Sequence, residues 1–368
     1  MEADCDVVVV GGGLLGLASA RALARRGREV IVLEQAEIGH ENGGSKGSCR
    51  VFRLGYEDAG WVSLAMRARE PWTELEDECG RQLLQPTPQL TFGRNLGTVR
   101  AAMQSAGAAG ELLPAAEAAA RFPGIAVGGP ALLEPESCVI SADAALRALA
   151  AAGPQIRPGV TVTDVADDGR RVTIGTRAGS VTARAAIVCA GPWTGGLLAP
   201  AGIMVPTSAT LEQVGYLAPV TEPAPAMPIF ICYDDEVPYG LPVPGSALYK
   251  FGVHHGGPPA DPGRQDHRAD QGLTEHLGRL ARRYLPGLGP DLVRTERCIY
   301  DNTPDEDFIV DRVGNIVIGS GTSGHGFKFG PLLGEWLADL ATGRAADPAA
   351  RRFSLGRFRA AAARGVSS

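Results

Sequence analysis

The apolar positions of this chain change period repeatedly, and each change marks an element. Val7 to Val10 is an unbroken β-branched run, the pattern of a strand buried on both faces of a parallel sheet. Leu17 to Arg26 follows with a helical period. Its small residues, Ala18, Ala20 and Ala22, suit close helix–sheet packing, and Gly27 is a natural C-cap. Val30 to Leu33 reads as a second strand, ending in Glu34. Trp61, Leu64, Ala65, Ala68, Trp72 and Leu75 predict a helix over 61–79, and Pro86-Thr87-Pro88 follows it. Gln89 to Gly93 looks like a strand of a second domain, and residues 101–120 like Ala-rich helix and turn.

Further on, a helix is predicted over 142–152, with short strands over 160–165, 171–176 and 180–183 and a buried strand from Ala185 that ends in Ala190-Gly191-Pro192-Trp193. Residues 206–217 and 228–252 read as strands broken by Pro and Gly, as in an antiparallel sheet. Residues 258–270 form a polar loop, and Leu273 to Tyr284 is an amphipathic helix ended by Pro286-Gly287. A short strand over 316–318, a Gly-rich run and a helix over 331–342 close the pattern. No internal repeat interrupts it.

The first strand runs into Gly11-Gly12-Gly13-Leu14-Leu15-Gly16. A lone G-x-G-x-x-G says little. Strand, glycines, helix, strand and terminal acid in one short span make the complete dinucleotide fingerprint. Gly11, Gly13 and Gly16 let a pyrophosphate reach the helix N-terminus, and Glu34 suits a ribose diol while disfavouring a 2′-phosphate. FAD or NAD is therefore expected over NADP. Near the other end, Gly319-Ser320-Gly321-Thr322-Ser323-Gly324-His325-Gly326-Phe327-Lys328 is a second cradle before a helix.

Composition narrows the class. The 368 residues can bury a large core and are expected to divide into two domains. A net charge of −6 argues against nucleic-acid or anionic-membrane partners. Seven cysteines, at 5, 49, 79, 138, 189, 232 and 298, show no C-x-x-C pairing, so neither a disulfide framework nor a metal site is expected. No apolar run has membrane-spanning length, the start is acidic (Glu2, Asp4, Asp6), and Val366-Ser367-Ser368 is no peroxisomal address. A cytoplasmic protein is expected.

Residues 39–56 are polar, Gly-rich and basic, unlike the next helix of a nicotinamide domain. The order β-α-β, then Gly-Ser-x-Gly-Ser-x-Arg-x-x-Arg, resembles the D-amino-acid-oxidase superfamily of flavoproteins, most closely the monomeric sarcosine oxidase and N-methyltryptophan oxidase group. Ala190-Gly191-Pro192-Trp193 after a buried strand is similar to that family's late FAD-domain motif. The resemblance implies an α/β fold (α+β overall): a Rossmann-like FAD-binding domain in three segments, 1–85, 136–205 and 298–368. A second domain, 86–135 and 206–297, is implied on a mostly antiparallel sheet.

It also implies roles. Cys298, in Arg297-Cys298-Ile299-Tyr300, matches a cysteine joined covalently to the flavin. Lys250, in Lys-x-Gly-x-His, matches the oxygen-activating lysine, and His254 an active-site histidine. Arg53 and Lys328 match the carboxylate grip, Arg50 the arginine beside the flavin ring, and Tyr300 and Tyr239 further pocket residues. Ser45, Gly191, Gly321, Gly324, Gly326 and Phe327 fall in the cofactor motifs. His255 is expected on the opposite sheet face from His254, because strand neighbours diverge. The implied reaction oxidises a secondary, N-methyl or cyclic α-amino acid to an imine, O2 becoming H2O2, in a chain expected to be monomeric. The alternatives are a dehydrogenase or biosynthetic oxidase passing electrons elsewhere, and a non-catalytic flavin-binding module. Cys49 and Leu54 depart from the family pattern at pocket positions, which leaves the amine open.

Overall fold

The computed structural model describes residues 4–221 and 226–358. Glu2 and Val366-Ser367-Ser368, read above for targeting, lie outside these residues. Cys5–Val10 lies at the centre of an eight-stranded sheet, with Val30–Leu33 and Gln155–Arg157 parallel on one side. Gly179–Val188 and then Ile316–Ser320 continue the parallel order on the other. The unbroken apolar run over 7–10 has its reason here. Val7 and Val9 enter a core with Leu17, Ala18, Leu333 and Trp336, while Val8 and Val10 enter another with Ile31, Val188 and Ile318. Helices Leu14–Arg25, Ala59–Cys79 and Gly330–Ala341 cover the first of these faces.

Two elements differ from the pattern-based expectation. Gly179–Val188 is one ten-residue strand rather than two short ones; exposed Arg184 breaks its apolar run without breaking the strand. Its first half pairs with Val172–Thr176 and its second with Ile316–Ser320. Within 39–56, read as loop, Cys49–Phe52 is a strand paired with Cys138–Ser141 in a three-stranded sheet that also holds Leu84–Pro86. Its partners are remote in sequence, so no local period announces it.

The second eight-stranded sheet runs in the order Arg294–Asn302, Ser208–Leu217, Tyr249–His254, Val237–Pro242, Ile229–Tyr233, Gln89–Gly93, Ala131–Glu134, Glu111–Leu113. Every pairing is antiparallel except that of Ile229–Tyr233 with Gln89–Gly93. One face is apolar: Leu90, Phe92, Phe230 and Phe251 pack on Leu277, Ala281 and Tyr284 of helix Gln271–Tyr284. Each such side chain contributes about 1.5–3 kcal/mol on burial. That leaves the other face free for chemistry. The fold is thus α/β (α+β overall), a Rossmann-like domain joined to a mostly antiparallel sheet. The division expected at 297/298 falls inside Arg294–Asn302, a continuous strand of the second sheet, so Cys298 and Tyr300 stand on that sheet.

Candidate active site

At the end of Cys5–Val10 the chain turns sharply into a helix. Gly11 has φ +103°, and a Cβ there would lie 2.3 Å from the Cys189 carbonyl oxygen. A Cβ on Gly16 would lie 1.9 Å from the Gly11 carbonyl oxygen. Side chains cannot fit, and strand and helix touch. Gly13, the N-cap, offers no side chain to the first-turn N–H groups, and Ser45 Oγ accepts only that of Leu14, at 3.0 Å. An anion is the natural partner of the remainder.

Glu34 is buried, its carboxylate accepting from the N–H of Gly12 at 2.7 Å and of Ala36 at 3.0 Å. Burial alone would raise its pKa. His40, whose Nε2 is 3.2 Å away, and the two amides outweigh that and hold the carboxyl below its ordinary value. His40 had no sequence signal.

The cradle opens into a cavity of about 1410 Å³ lined by Gly11, Glu34, Ser45, Gly191, Cys298 and Lys328, among others. Ordinary small-molecule sites span about 300–1,000 Å³. The extra length, the bare helix start and the acid at one end fit FAD.

The second sheet supplies the reactive face. Directly paired residues share a face, as do positions i and i+2. Glu134 pairs with Gln89, Thr91 with Ile231, Ile231 with Tyr239, and Tyr239 with Gly252, which lies between Lys250 and His254. Gly252 pairs with Val214, and two residues before Val214 stands Glu212, opposite Cys298. Glu134, Tyr239, Lys250, His254, Cys298 and Tyr300 therefore lie on one surface.

Lys250 is buried there, its Nζ donating to the Cys49 carbonyl at 3.4 Å. Burial first, and the Arg50 charge second, pull its pKa below the ordinary value. Arg50 donates to the carbonyls of Cys49 (2.9 Å), Gly44 (3.0 Å) and Lys46 (2.5 Å), and its guanidinium lies 5.4 Å from the Phe327 ring centre. Burial raises the Cys298 thiol, which Lys250 and Arg50 partly offset. Tyr239 and Tyr300 are likewise raised by burial, so both phenols stay protonated at neutral pH.

The glycine-rich run lies flat on Tyr300: a Cβ on Gly324 would come within 2.0 Å of its ring. Asp301 ties this run down. Its buried carboxylate accepts from Gly321 N at 2.7 Å, Thr322 N at 3.1 Å and Thr322 Oγ1 at 2.6 Å. Sequence reasoning passed over Asp301, although an acid after Cys298-Ile299-Tyr300 in a buried strand was a visible signal. Gly326 and Phe327 lead through the short turn Phe327–Phe329 straight into Gly330–Ala341, so Lys328 stands at the helix start. Gly191 opens the turn after Gly179–Val188, and its carbonyl accepts from Ser320 Oγ at 3.3 Å.

Arg53 and Lys328 meet at Tyr56. The half-buried Arg53 donates to the Gly55 carbonyl, and its guanidinium lies 3.9 Å from the Tyr56 ring centre. Lys328 is buried and donates to the Tyr56 hydroxyl at 2.8 Å and the His325 carbonyl at 2.7 Å. Burial, then the Arg53 charge, pull its pKa well below the ordinary value. Two converging cations that repel one another can accept a carboxylate between them.

The expectation for His255 is corrected. Its backbone has φ +56°, which ends the strand at His254 and turns the ring back, so the two imidazole centres are 4.1 Å apart. Strand divergence does not apply where the strand stops. With Glu306 the pair offers three ligand atoms within 4.8 Å of one another. Burial, then His255, Arg53 and Lys328, hold His254 well below its ordinary pKa.

The family described as FAD dependent oxidoreductase matches residues 6–340. Peroxisomal sarcosine oxidase of Homo sapiens is 35% identical over 361 residues, covering 91% of this chain and 92% of that protein. Monomeric sarcosine oxidase of Bacillus sp. (strain NS-129) is 31% identical over 378 residues, covering 97% and 98% respectively. Among solved structures NikD, an unusual amino acid oxidase essential for nikkomycin biosynthesis, superposes with a TM-score of 0.85 at 29% identity, covering 95% of this chain and 97% of that one.

Proposed function

Because the chain belongs to the FAD-dependent oxidoreductase family, we propose that it oxidises a secondary, N-methyl or cyclic α-amino acid to the imine, with O2 reduced to H2O2. One observation carries this reading: Arg53 and Lys328, far apart in sequence, converge on Tyr56 beside a sheet face bearing Lys250, His254 and Cys298. Bound FAD would supply the two-electron acceptor. Gly11, Gly13, Gly16, Glu34, Ser45 and the 319–328 run would hold it.

Arg53 and Lys328 take the substrate carboxylate and orient the C–N bond. His254, kept neutral, presents an uncharged imidazole to an unprotonated amine. Lys250 places a cation where O2 gains negative charge, an electrostatic task that needs no proton relay. Tyr239 and Tyr300, both protonated, close the pocket wall against water. Cys298, which lines the cavity, would hold the cofactor covalently through its sulfur in this reading. Monomeric state and a cytoplasmic location belong to the same proposal. Among the described residues no helix is long and apolar enough to cross a membrane.

The test is an anaerobic titration of the yellow holoenzyme with sarcosine, L-proline, L-pipecolate and larger N-methyl amino acids, followed by air. Bleaching by one of them with rapid recovery in air supports both substrate class and acceptor. Bleaching with slow recovery replaces O2 by another acceptor. No bleaching by any of them overturns the amino-acid reading.

A further inference from the structure

Arg53 is only as useful as its aim, and the residue that aims it lies outside the cavity. Glu134 ends the strand Ala131–Glu134 with 1% of its surface exposed. One oxygen accepts from the N–H of Gly55 at 2.7 Å, of Leu54 at 3.3 Å, and from Ser137 Oγ at 3.5 Å. The other accepts from Gln89 Nε2 at 2.8 Å and Thr91 Oγ1 at 2.5 Å. A carboxylate taken from water is strongly disfavoured unless its lone pairs are filled and its charge balanced. Five donors fill the lone pairs, and the Arg53 guanidinium is the cation that balances it. Burial lowers the proton affinity of Arg53, and Tyr233, Tyr56 and Glu134 together outweigh that.

Gly55 is the joint between the two. Its N–H donates to Glu134 while its carbonyl accepts from Arg53. A Cβ there would lie 2.4 Å from the nearer carboxylate oxygen. Arg53 and Tyr56 line the cavity, and Glu134 does not.

We propose that Glu134 is a positioning residue for substrate-carboxylate recognition. From the second sheet it clamps the Leu54–Gly55 backbone, which points the Arg53 guanidinium into the cavity, and it supplies the anion that balances Arg53 until substrate arrives. The inference rests on the reading that Arg53 grips the carboxylate. Nothing in the local pattern flagged it: Glu134-Pro135-Glu136 lies at the expected boundary between the second domain and the return to the first.

The experiment uses holoenzyme carrying Glu134→Gln, Arg53→Met, or both, titrated with pyrrole-2-carboxylate and with its uncharged amide, binding being read from the flavin spectrum. Glutamine keeps the size but turns an amide NH2 towards donors. Glu134→Gln is expected to weaken carboxylate binding about 10- to 100-fold, leave amide binding and flavin content unchanged, and raise KM far more than it lowers kcat. Glu134→Asp recovers part of the loss. The double variant binds no worse than Arg53→Met alone, because Glu134 acts through Arg53. Unchanged carboxylate binding in Glu134→Gln, or losses that multiply in the double variant, overturn the proposal. Wild-type binding by Arg53→Met instead overturns the carboxylate-grip reading itself. Should Glu134→Gln not fold, Thr91→Val removes one donor to the other oxygen of the same carboxylate. It is expected to cost about 5-fold in carboxylate binding alone, and an unchanged value there also overturns the proposal.

Discussion

The cofactor cradle of the first sheet draws its fingerprint from residues 11 to 34, whereas the reactive face of the second draws on strands from residue 131 to residue 302. In the cradle, function comes from what is missing: side chains at Gly11 and Gly16, and a cap at Gly13. On the reactive face, buried charged groups stand out, Lys250 held by one hydrogen bond and Glu134 by five. A cradle made of backbone should fail all at once when space is filled. A face made of separate side chains should lose one step at a time.

The largest effect tests the first half of that contrast. Gly11→Val places branched atoms against the Cys189 carbonyl at a positive φ, and the purified protein is expected to be colourless with no activity. A yellow, active variant would break the comparison. Lys250→Met should slow reoxidation of the reduced enzyme by air about 100- to 1,000-fold, while anaerobic bleaching by substrate stays within a few-fold of wild type; stopped-flow measurement of the two half-reactions separates them. Arg53→Ala should raise KM about 100-fold with flavin content unchanged, as measured by steady-state kinetics and absorbance.

Smaller effects sharpen it. Lys250 has a folded pKa below the ordinary lysine value of about 10.4, and the proposed oxygen chemistry uses its charged form. The reoxidation rate should therefore fall as pH rises through that lowered pKa, at a pH below 10.4, and Lys250→Arg should flatten the limb because arginine keeps its proton. The smallest effect is expected from Cys298→Ser. Its flavin should stay with the native protein, as the cradle predicts, yet be released on acid precipitation, whereas wild type should precipitate yellow.

Legibility followed the same division. Gly11, Gly13, Gly16 and Glu34 could be read directly, because a turn, a helix start and a strand end are neighbours along the chain and their spacing is set by backbone geometry. The strand Cys49–Phe52 looked like loop, since its partner Cys138–Ser141 lies far along the chain. The separate strands expected over 180–183 and from Ala185 onward proved to be one, because a single exposed arginine mimics a break. His255 was expected to diverge from His254 because a strand was assumed to continue, and its φ of +56° is a local choice that no hydrophobic period records.

By itself the sequence determined the dinucleotide fold of the first domain and the antiparallel character of the second, while the expected flavin and carboxylate residues came from the family resemblance. The first two follow from local periods, from glycines that only one backbone shape explains, and from motif spacing. Only the tertiary structure decided that Cys298 and Tyr300 stand on the second sheet, that Arg53 and Lys328 meet at Tyr56, and that Asp301 and Glu134 hold the backbone at Gly321-Thr322 and Leu54-Gly55. The reason is physical. Register between strands remote in sequence, and the pairing of buried charges, are settled by packing many segments at once, and no stretch of the chain carries that information alone.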